Sequence, residues 1–364
     1  WLPDENCPFF VGEFVADEGP HALCPRTLLN RVLDEYADLG LQVRSGFEYE
    51  FFVFAETPHS VRAKNYQNLT PLTPGNFGYS VLRAGAQSAH FLGLMEWCRQ
   101  LDCDIEGLHC ETGPGVWEAA LQSQLGIEAA DRANLFKTFS KIYFQKRELM
   151  ATFMAKWSMD YPGQSGHFHF SLCDEEGVNK FFNGDAAHTM SDLQRHGVAG
   201  VQRYLGELLP MLAPTINSYT RLVKGAWAPT AATWGVENRT AAIRVIPGGA
   251  SSQRVECRVG GADGNPYLVA AAVLGAALAG IREQLEPEQP VQGNAYDLQD
   301  DLPERYKFAT SLAESSDKMH QSAMARTILG DEFVEHFVMT RRWEAQEYQR
   351  NLNSWQLQRY FEII

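Results

Sequence analysis

The segment Phe47-Glu-Tyr-Glu-Phe-Phe-Val-Phe54 constrains this chain more than any other. Aromatic and β-branched residues favour a strand, and successive strand side chains point to opposite faces. Glu48 and Glu50 therefore share one face, about 7 Å apart from Cα to Cα, while Phe47, Tyr49 and Phe51 fill the other. Two carboxylates inside an aromatic strand repel each other and lose hydration. Either the strand is an edge whose polar face is wet, or something cationic, such as a divalent metal ion, sits against it.

Three further stretches bear on that choice. Glu111-Thr-Gly-Pro-Gly-Val-Trp-Glu118 sets two carboxylates across a Gly/Pro turn, which can fold back and aim both at one point. The alternative for that stretch alone is a solvated loop. Gly166-His167-Phe-His169-Phe-Ser171 repeats the alternation, with His167, His169 and Ser171 on one face, a pattern that suits a metal or phosphate site. Arg254-Val-Glu256-Cys-Arg258 carries its charges on one face, with Arg221, Arg239 and Arg244 upstream. A guanidinium fork binds carboxylate and phosphate bidentately, and a surface ion-pair ladder is the bland alternative. Together these groups describe metal-assisted phosphoryl transfer, and no Walker-type phosphate loop is present.

The 364 residues contain 45 acidic and 31 basic side chains, a net charge of −14. That balance lacks the basic footprint of a nucleic-acid binder and opposes binding to anionic membranes. The apolar run Leu268–Ile281, preceded by Asn265-Pro266, reads as a buried helix with an N-cap and proline at its first position. Seven scattered cysteines form no C-x-x-C pair, which suggests reduced thiols in a cytoplasmic protein. No signal peptide is expected at the start.

Spacing predicts strands over 9–15, 47–54, 104–111, 166–172, 241–246 and 253–258, and a second strand after the turn at 174–177. It predicts helices over 26–39, 79–100, 128–157, 191–213 and 265–285, a loop over 56–78, and a charged helical region from about 302. The mixture is not strictly alternating, so the fold class is α+β.

The motifs, in order along nearly the whole chain, resemble the catalytic region of the glutamine synthetase family. They are Phe47–Phe54; Glu106-Gly-Leu-His-Cys-Glu111 with Gly113–Glu118; Phe153-Met-Ala-Lys156; Gly163–Leu172; Asn217-Ser-Tyr-Thr-Arg221; Trp234–Thr240; Ile243-Arg244; and Arg254–Arg258 leading into Asn265-Pro-Tyr-Leu. The resemblance implies a curved antiparallel sheet backed by helices. It implies an ATP-dependent ligase that converts the γ-carboxylate of L-glutamate to an acyl phosphate, which an amine then attacks. Carried over by position, Glu50, Glu111 and Glu118 would hold one Mg²⁺ or Mn²⁺, and Glu48, His167 and Glu256 a second. Arg221 and Arg258, with the Gly163 backbone, would face glutamate. Arg239 and Arg244 would face phosphate, with Arg239 and Arg258 catalytic, and Glu106, His169 and Ser171 would contact the nucleotide. The family also implies a homo-oligomer, in its usual form two stacked six-membered rings.

The chain departs from the glutamine-forming enzymes at three points. Trp227 stands where they carry an acidic residue that takes ammonium and removes its proton. An indole can do neither, but it can pack an amine substituent or face a cation. Pro162 replaces the Asn before Gly163, and together with Gly261-Ala-Asp-Gly-Asn-Pro this resembles the γ-glutamyl-amine and γ-glutamyl-polyamine ligase branch. Finally, residues 1–364 are expected to form one catalytic domain, with the family's smaller N-terminal β-grasp domain essentially absent. The expected reaction is therefore ligation of glutamate to a primary amine other than ammonia. An ordinary glutamine synthetase and a catalytically inactive structural homologue are the alternatives.

Overall fold

The computed structural model describes residues 2–3, 7–17, 19–298 and 301–362. Its centre is one large sheet built around β1 (Gln42–Phe54). Beside it lie β2 (Ile105–Cys110), β3 (Val116–Leu121), β4 (Gly166–Cys173), β5 (Trp234–Val236), β6 (Ile243–Ile246) and β7 (Arg254–Cys257). The strand order is β2-β3-β1-β4-β7-β6-β5, antiparallel throughout except for β5 and β6. Gln124–Leu125 and Met150–Thr152 also pair with β1. The α+β class and the expected sheet backed by helices are both present. β1 is central, so the wet-edge alternative for Glu48 and Glu50 does not apply.

One face of the sheet is packed by helices. Phe47, Tyr49, Phe51 and Val53 point into a core shared with α1 (Pro25–Ala37), α2 (Ser88–Arg99) and α3 (Glu128–Gln145). Burying each such ring contributes about 1.5–3 kcal/mol. Behind them α4 (Asp192–Tyr204) crosses α5 (Pro266–Glu283). The Asn265 side chain accepts from the N–H groups of Tyr267 and Leu268, and Pro266 opens the first turn, as the sequence required. Among the described residues α5 is the one helix long and apolar enough to cross a membrane; its residues from Pro266 to Gly280 are buried in this core.

Several elements differ from the sequence expectation. Residues 9–15 form no ladder; Val15–Ala16 alone pairs, with Gly19–Pro20. The 128–157 helix ends at Gln145, and Glu148 turns left-handed at φ +57°. Met150–Thr152 then becomes a strand beside Phe52–Phe54. A three-residue apolar run has no period of its own, and an open backbone edge recruited it. The 191–213 helix breaks after Tyr204 and restarts at Leu209, with Pro210 in its first turn. The 79–100 helix is split at Gln87. The 56–78 loop contains a short helix, Pro58–Ala63, closed by a Thr57/Ser60 capping box. After the 174–177 turn only isolated bridges form, at Cys173–Asn179 and Phe182–Met190.

Candidate active site

The other face of the sheet carries the polar residues, and strand register brings them together. Glu118 of β3 lies opposite Glu50, and His109 of β2 opposite Glu118. Glu48 lies opposite His167, His169 opposite Glu256, and Glu256 opposite Arg244. The 111–118 turn folds back as the sequence suggested. Gly115 makes this possible: it sits at φ +74°, and a Cβ there would lie 2.5 Å from the Val53 carbonyl oxygen.

Two cavities open on this face and share Glu48. The first, about 320 Å³, is lined by Glu48, Glu50, Glu111, Glu118, His167, Gly163, Arg221, Arg239, Arg258 and Trp227, among others. The second, about 290 Å³, contains Glu48, Glu106, His169 and Ser171 together with Arg44 and Arg254. Glu106 is the extra residue of a bulge between Ile105 and Gly107, a device that re-aims a side chain. Of the residues singled out in the sequence, Arg244 and Glu256 line neither cavity. Glu256 is buried behind both, paired with Arg244 and Arg258. Arg244 is also bound to Glu237, so its guanidinium faces carboxylates rather than open space.

Arg221 is wedged in place. Its Nη1 donates to the Val259 carbonyl at 2.8 Å and its Nη2 to Ser165 Oγ at 3.2 Å. The turn that carries it is clamped twice. Asn217 exchanges two hydrogen bonds with the Lys156 backbone, and Ser218 donates to Asp263 at 2.6 Å. Gly163 must be glycine, because a Cβ there would lie 2.6 Å from Arg221 Cγ. Arg258 Nε donates to the Arg239 carbonyl at 3.0 Å, linking the two loops that carry arginines.

The electrostatics are those of an unneutralised anionic site. Burial pushes the Glu50 carboxyl up, with Glu111 adding to the rise against Ser165 and Arg221. Burial, Glu50 and Glu48 do the same to Glu118. Burial also opposes ionisation of Glu48, but the His169 and His167 rings outweigh it and hold it low. Glu256 is likewise held at about 2, chiefly by His167, His169 and Arg258 against its burial. The His167 ring is pushed down by burial and by Arg258. Its Nδ1 lies 3.2 Å from Glu48 and 3.3 Å from Glu256, and its Nε2 is buried without a hydrogen-bond partner.

Three groups of side chains have ligand atoms close enough to share an ion: Glu48, Glu118 and His167; Glu48, His169 and Glu256; and His109, Glu111 and Glu118. Carboxylate oxygens with an imidazole suit hard divalent cations, and the orphaned His167 Nε2 is what an absent ligand leaves behind. The residues therefore fit such ions, but in other sets than the resemblance implied: Glu50 belongs to none of the three groups, His109 stands with Glu111 and Glu118, and His167 and Glu256 fall in separate groups.

Three contributors, His109, Tyr79 and Arg44, were not found in the sequence, and Arg254 was read there only as part of a charged strand face. His109 bridges Glu111 at 3.4 Å and Glu118 at 3.2 Å, and these carboxylates raise its pKa to about 10. Tyr79 stacks on His109 with ring centres 5.0 Å apart. Arg44 and Arg254 line the second cavity. His109 carried a signal, since it shares a strand face with Glu111 two residues on. Tyr79 and Arg44 carried none, because only the tertiary register brings them in.

Known proteins resemble this chain in sequence and in fold. Residues 22–360 match the family model of the glutamine synthetase catalytic domain. A protein named type-1 glutamine synthetase 2, from Dictyostelium discoideum, is 44% identical over 363 residues, 99% of this chain and 69% of that one. A γ-glutamylethanolamide synthetase of Streptomyces coelicolor is 35% identical over 360 residues, 99% and 76% of the two chains. A glutamate–isopropylamine ligase from a Pseudomonas species is 34% identical over 345 residues, 95% and 75%. Among solved structures, GmaS in complex with ADP superposes with a TM-score of 0.85 at 26% identity, covering 95% of this chain and 79% of that one.

Proposed function

The chain belongs to the glutamine synthetase family and is a carbon–nitrogen ligase, and from that premise we propose that it joins the γ-carboxylate of L-glutamate to a primary amine, using ATP. The observation that carries this is the pair of cavities meeting at Glu48. One offers carboxylate-binding arginines and the other the nucleotide-facing set, so a phosphoryl group passes between them at that wall.

In this scheme Glu106, His169, Ser171, Arg44 and Arg254 hold ATP in the second cavity. Arg221, Arg258 and the Gly163 backbone orient glutamate in the first, with its γ-carboxylate toward Glu48. Glu111 and Glu118, with Glu50 on the facing strand, and Glu48, with His167 or with His169 and Glu256, would hold the divalent cations that the family uses, which supply charge neutralisation to the triphosphate. Arg239, exposed at the cavity wall, takes up charge that develops on the transferred phosphoryl. Arg244 acts one step back, by holding Glu256. A γ-carboxylate oxygen attacks the terminal phosphorus and ADP leaves. The amine nitrogen then attacks the acyl carbon, the C–O bond to phosphate breaks, and a γ-glutamyl amide is released. Trp227 cannot accept the amine proton, which passes to the departing phosphate or to water.

Trp227 on the rim favours an organic amine over ammonia, and two of the relatives above are named for such amides. A specific observation favours the second reading, glutamine formation: the 44% identical relative bears the glutamine synthetase name. Phosphate release with ATP, Mg²⁺ and glutamate, paired with mass detection of the product, separates the two. Turnover of alkylamine or ethanolamine above that of ammonia supports the proposal, and turnover of ammonia alone refutes it.

A further inference from the structure

The loop over 247–253 joins β6 to β7, and with the first residue of β7 it gives the second cavity Ser251, Ser252 and Arg254. Arg254 reaches toward the opposite wall, its Nε donating to His169 Nδ1 at 3.4 Å, and its Nη1 donates back to the Ser252 carbonyl at 3.1 Å. Where Arg254 points is therefore set by where the loop lies. The sheet fixes this only in part: β7 pairs with β6 from Arg254, but with β4 from Val255 onward.

One side chain holds the loop. Gln253 is fully buried, and its amide fills all four of its hydrogen-bonding places. Its Oε1 accepts from the Gly248 N–H at 2.9 Å and from Thr189 Oγ at 2.8 Å. Its Nε2 donates to Gln194 Oε1 at 2.6 Å and to the His188 carbonyl at 3.3 Å. A backbone N–H only donates and a carbonyl only accepts, so the amide has one orientation. Gln194, buried on α4, passes the link on by donating to the Arg254 carbonyl at 3.3 Å. His188 and Thr189, which Gln253 grips from outside its own loop, both stand in the left-handed region at φ 55°. Two such residues in succession, one of them β-branched, are strained, and strain of this kind persists where surrounding contacts over-determine it. Glutamate has the length for this place but no donor, and asparagine the donors but not the length.

Resting on the nucleotide placement proposed above, we infer that Gln253 is a positioning residue for ATP. It ties the 247–253 loop to the turn at 188–189 and to α4, and so holds Ser251, Ser252 and Arg254 where the nucleotide meets them. Its side chain is spent on these bonds and acts through Arg254 and the loop. Of the groups given to glutamate, Gly163 and Arg221 lie on other segments, and Arg258 is separated from the loop by the paired length of β7. Loosening the loop therefore reaches ATP and spares glutamate.

The test is steady-state kinetics with ATP and glutamate varied in turn at saturating amine, together with the rise in Tm given by ADP and Mg²⁺. Gln253→Glu keeps the length and removes both donors. Thr189→Val removes one hydroxyl from a residue that does not line the cavity, and Thr189→Ser restores it. We expect Gln253→Glu to raise KM for ATP at least about ten-fold and Thr189→Val several-fold, with KM for glutamate and kcat within about two-fold of wild type. Both should show a smaller rise in Tm with ADP, and Thr189→Ser should match wild type. KM for ATP unchanged in Gln253→Glu and Thr189→Val, or KM for glutamate and kcat altered as much as KM for ATP, overturns the inference and leaves the ligase function standing. Should Gln253→Glu not fold, the two Thr189 variants decide by the same criteria. A wild type that neither consumes ATP with glutamate and any amine nor gains Tm from ADP and Mg²⁺ overturns the function on which the inference rests.

Discussion

Glu50 lies on β1 and Glu56 two residues past its end, and they are opposite kinds of carboxylate. Glu56 is buried and fully provided for by the protein. Lys64 pairs with it, Ser60 Oγ donates at 2.6 Å and the Thr70 N–H at 2.8 Å. Those partners bring its pKa down to about 2. Glu50 draws its hydrogen bonds from Ser165, through the N–H at 2.7 Å, and faces the carboxylates of Glu111 and Glu118. Burial drives its pKa up. A structural carboxylate is completed by its own chain, whereas a ligand-holding one is left short and is completed by what binds.

The contrast can be broken in order of expected effect. Glu50→Gln should lower γ-glutamyl amide formation by about 10³-fold, because it removes charge from the reaction centre; product mass per unit time measures this. Glu56→Gln should leave that rate within a few-fold. Trp227→Glu should raise turnover of ammonia relative to alkylamine by about ten-fold, the size expected when a charge is introduced beside an ammonium near the surface; competition between the two amines reads the ratio. Glu56→Gln should cost stability instead, lowering Tm by roughly 5 °C, since Lys64 and the Thr70 N–H lose a charged acceptor.

The smallest effect is in pH. The folded pKa of Glu56, about 2, lies below its ordinary value of 4.5. Its contribution to stability is therefore complete above pH 4.5 and is lost as pH falls toward 2. Denaturation midpoints between pH 6 and 3 should fall in the wild type and fall less steeply in Glu56→Gln.

Much of the site was legible because strand alternation is local. The shared face of Glu48 and Glu50, the His167/His169/Ser171 face and the fold-back of Glu111 on Glu118 all follow from a period of two or from turn residues. Register is not local. That His109 meets Glu118, and His169 meets Glu256, depends on how strands far apart in sequence align. The pairing of Arg244 was hidden for the same reason: its place opposite Glu256 ties it to carboxylates. In the fold, apolar spacing located α1 and α5 well. It could not tell that Met150–Thr152 would leave the helix to cover the end of β1, because that outcome is set by the partner strand.

The most direct test of the central claim is the melting temperature with and without Mg²⁺ and ATP, in the wild type, Glu50→Gln and Glu56→Gln. Ligands that bind only the folded state raise Tm by mass action. The wild type should gain from the ligands. Glu50→Gln should lose most of that gain while melting no lower than wild type without them, because its buried, repelled charge is gone. Glu56→Gln should melt lower throughout and keep the gain. A Glu50→Gln protein that melts lower without ligands yet gains as much as wild type would contradict the account.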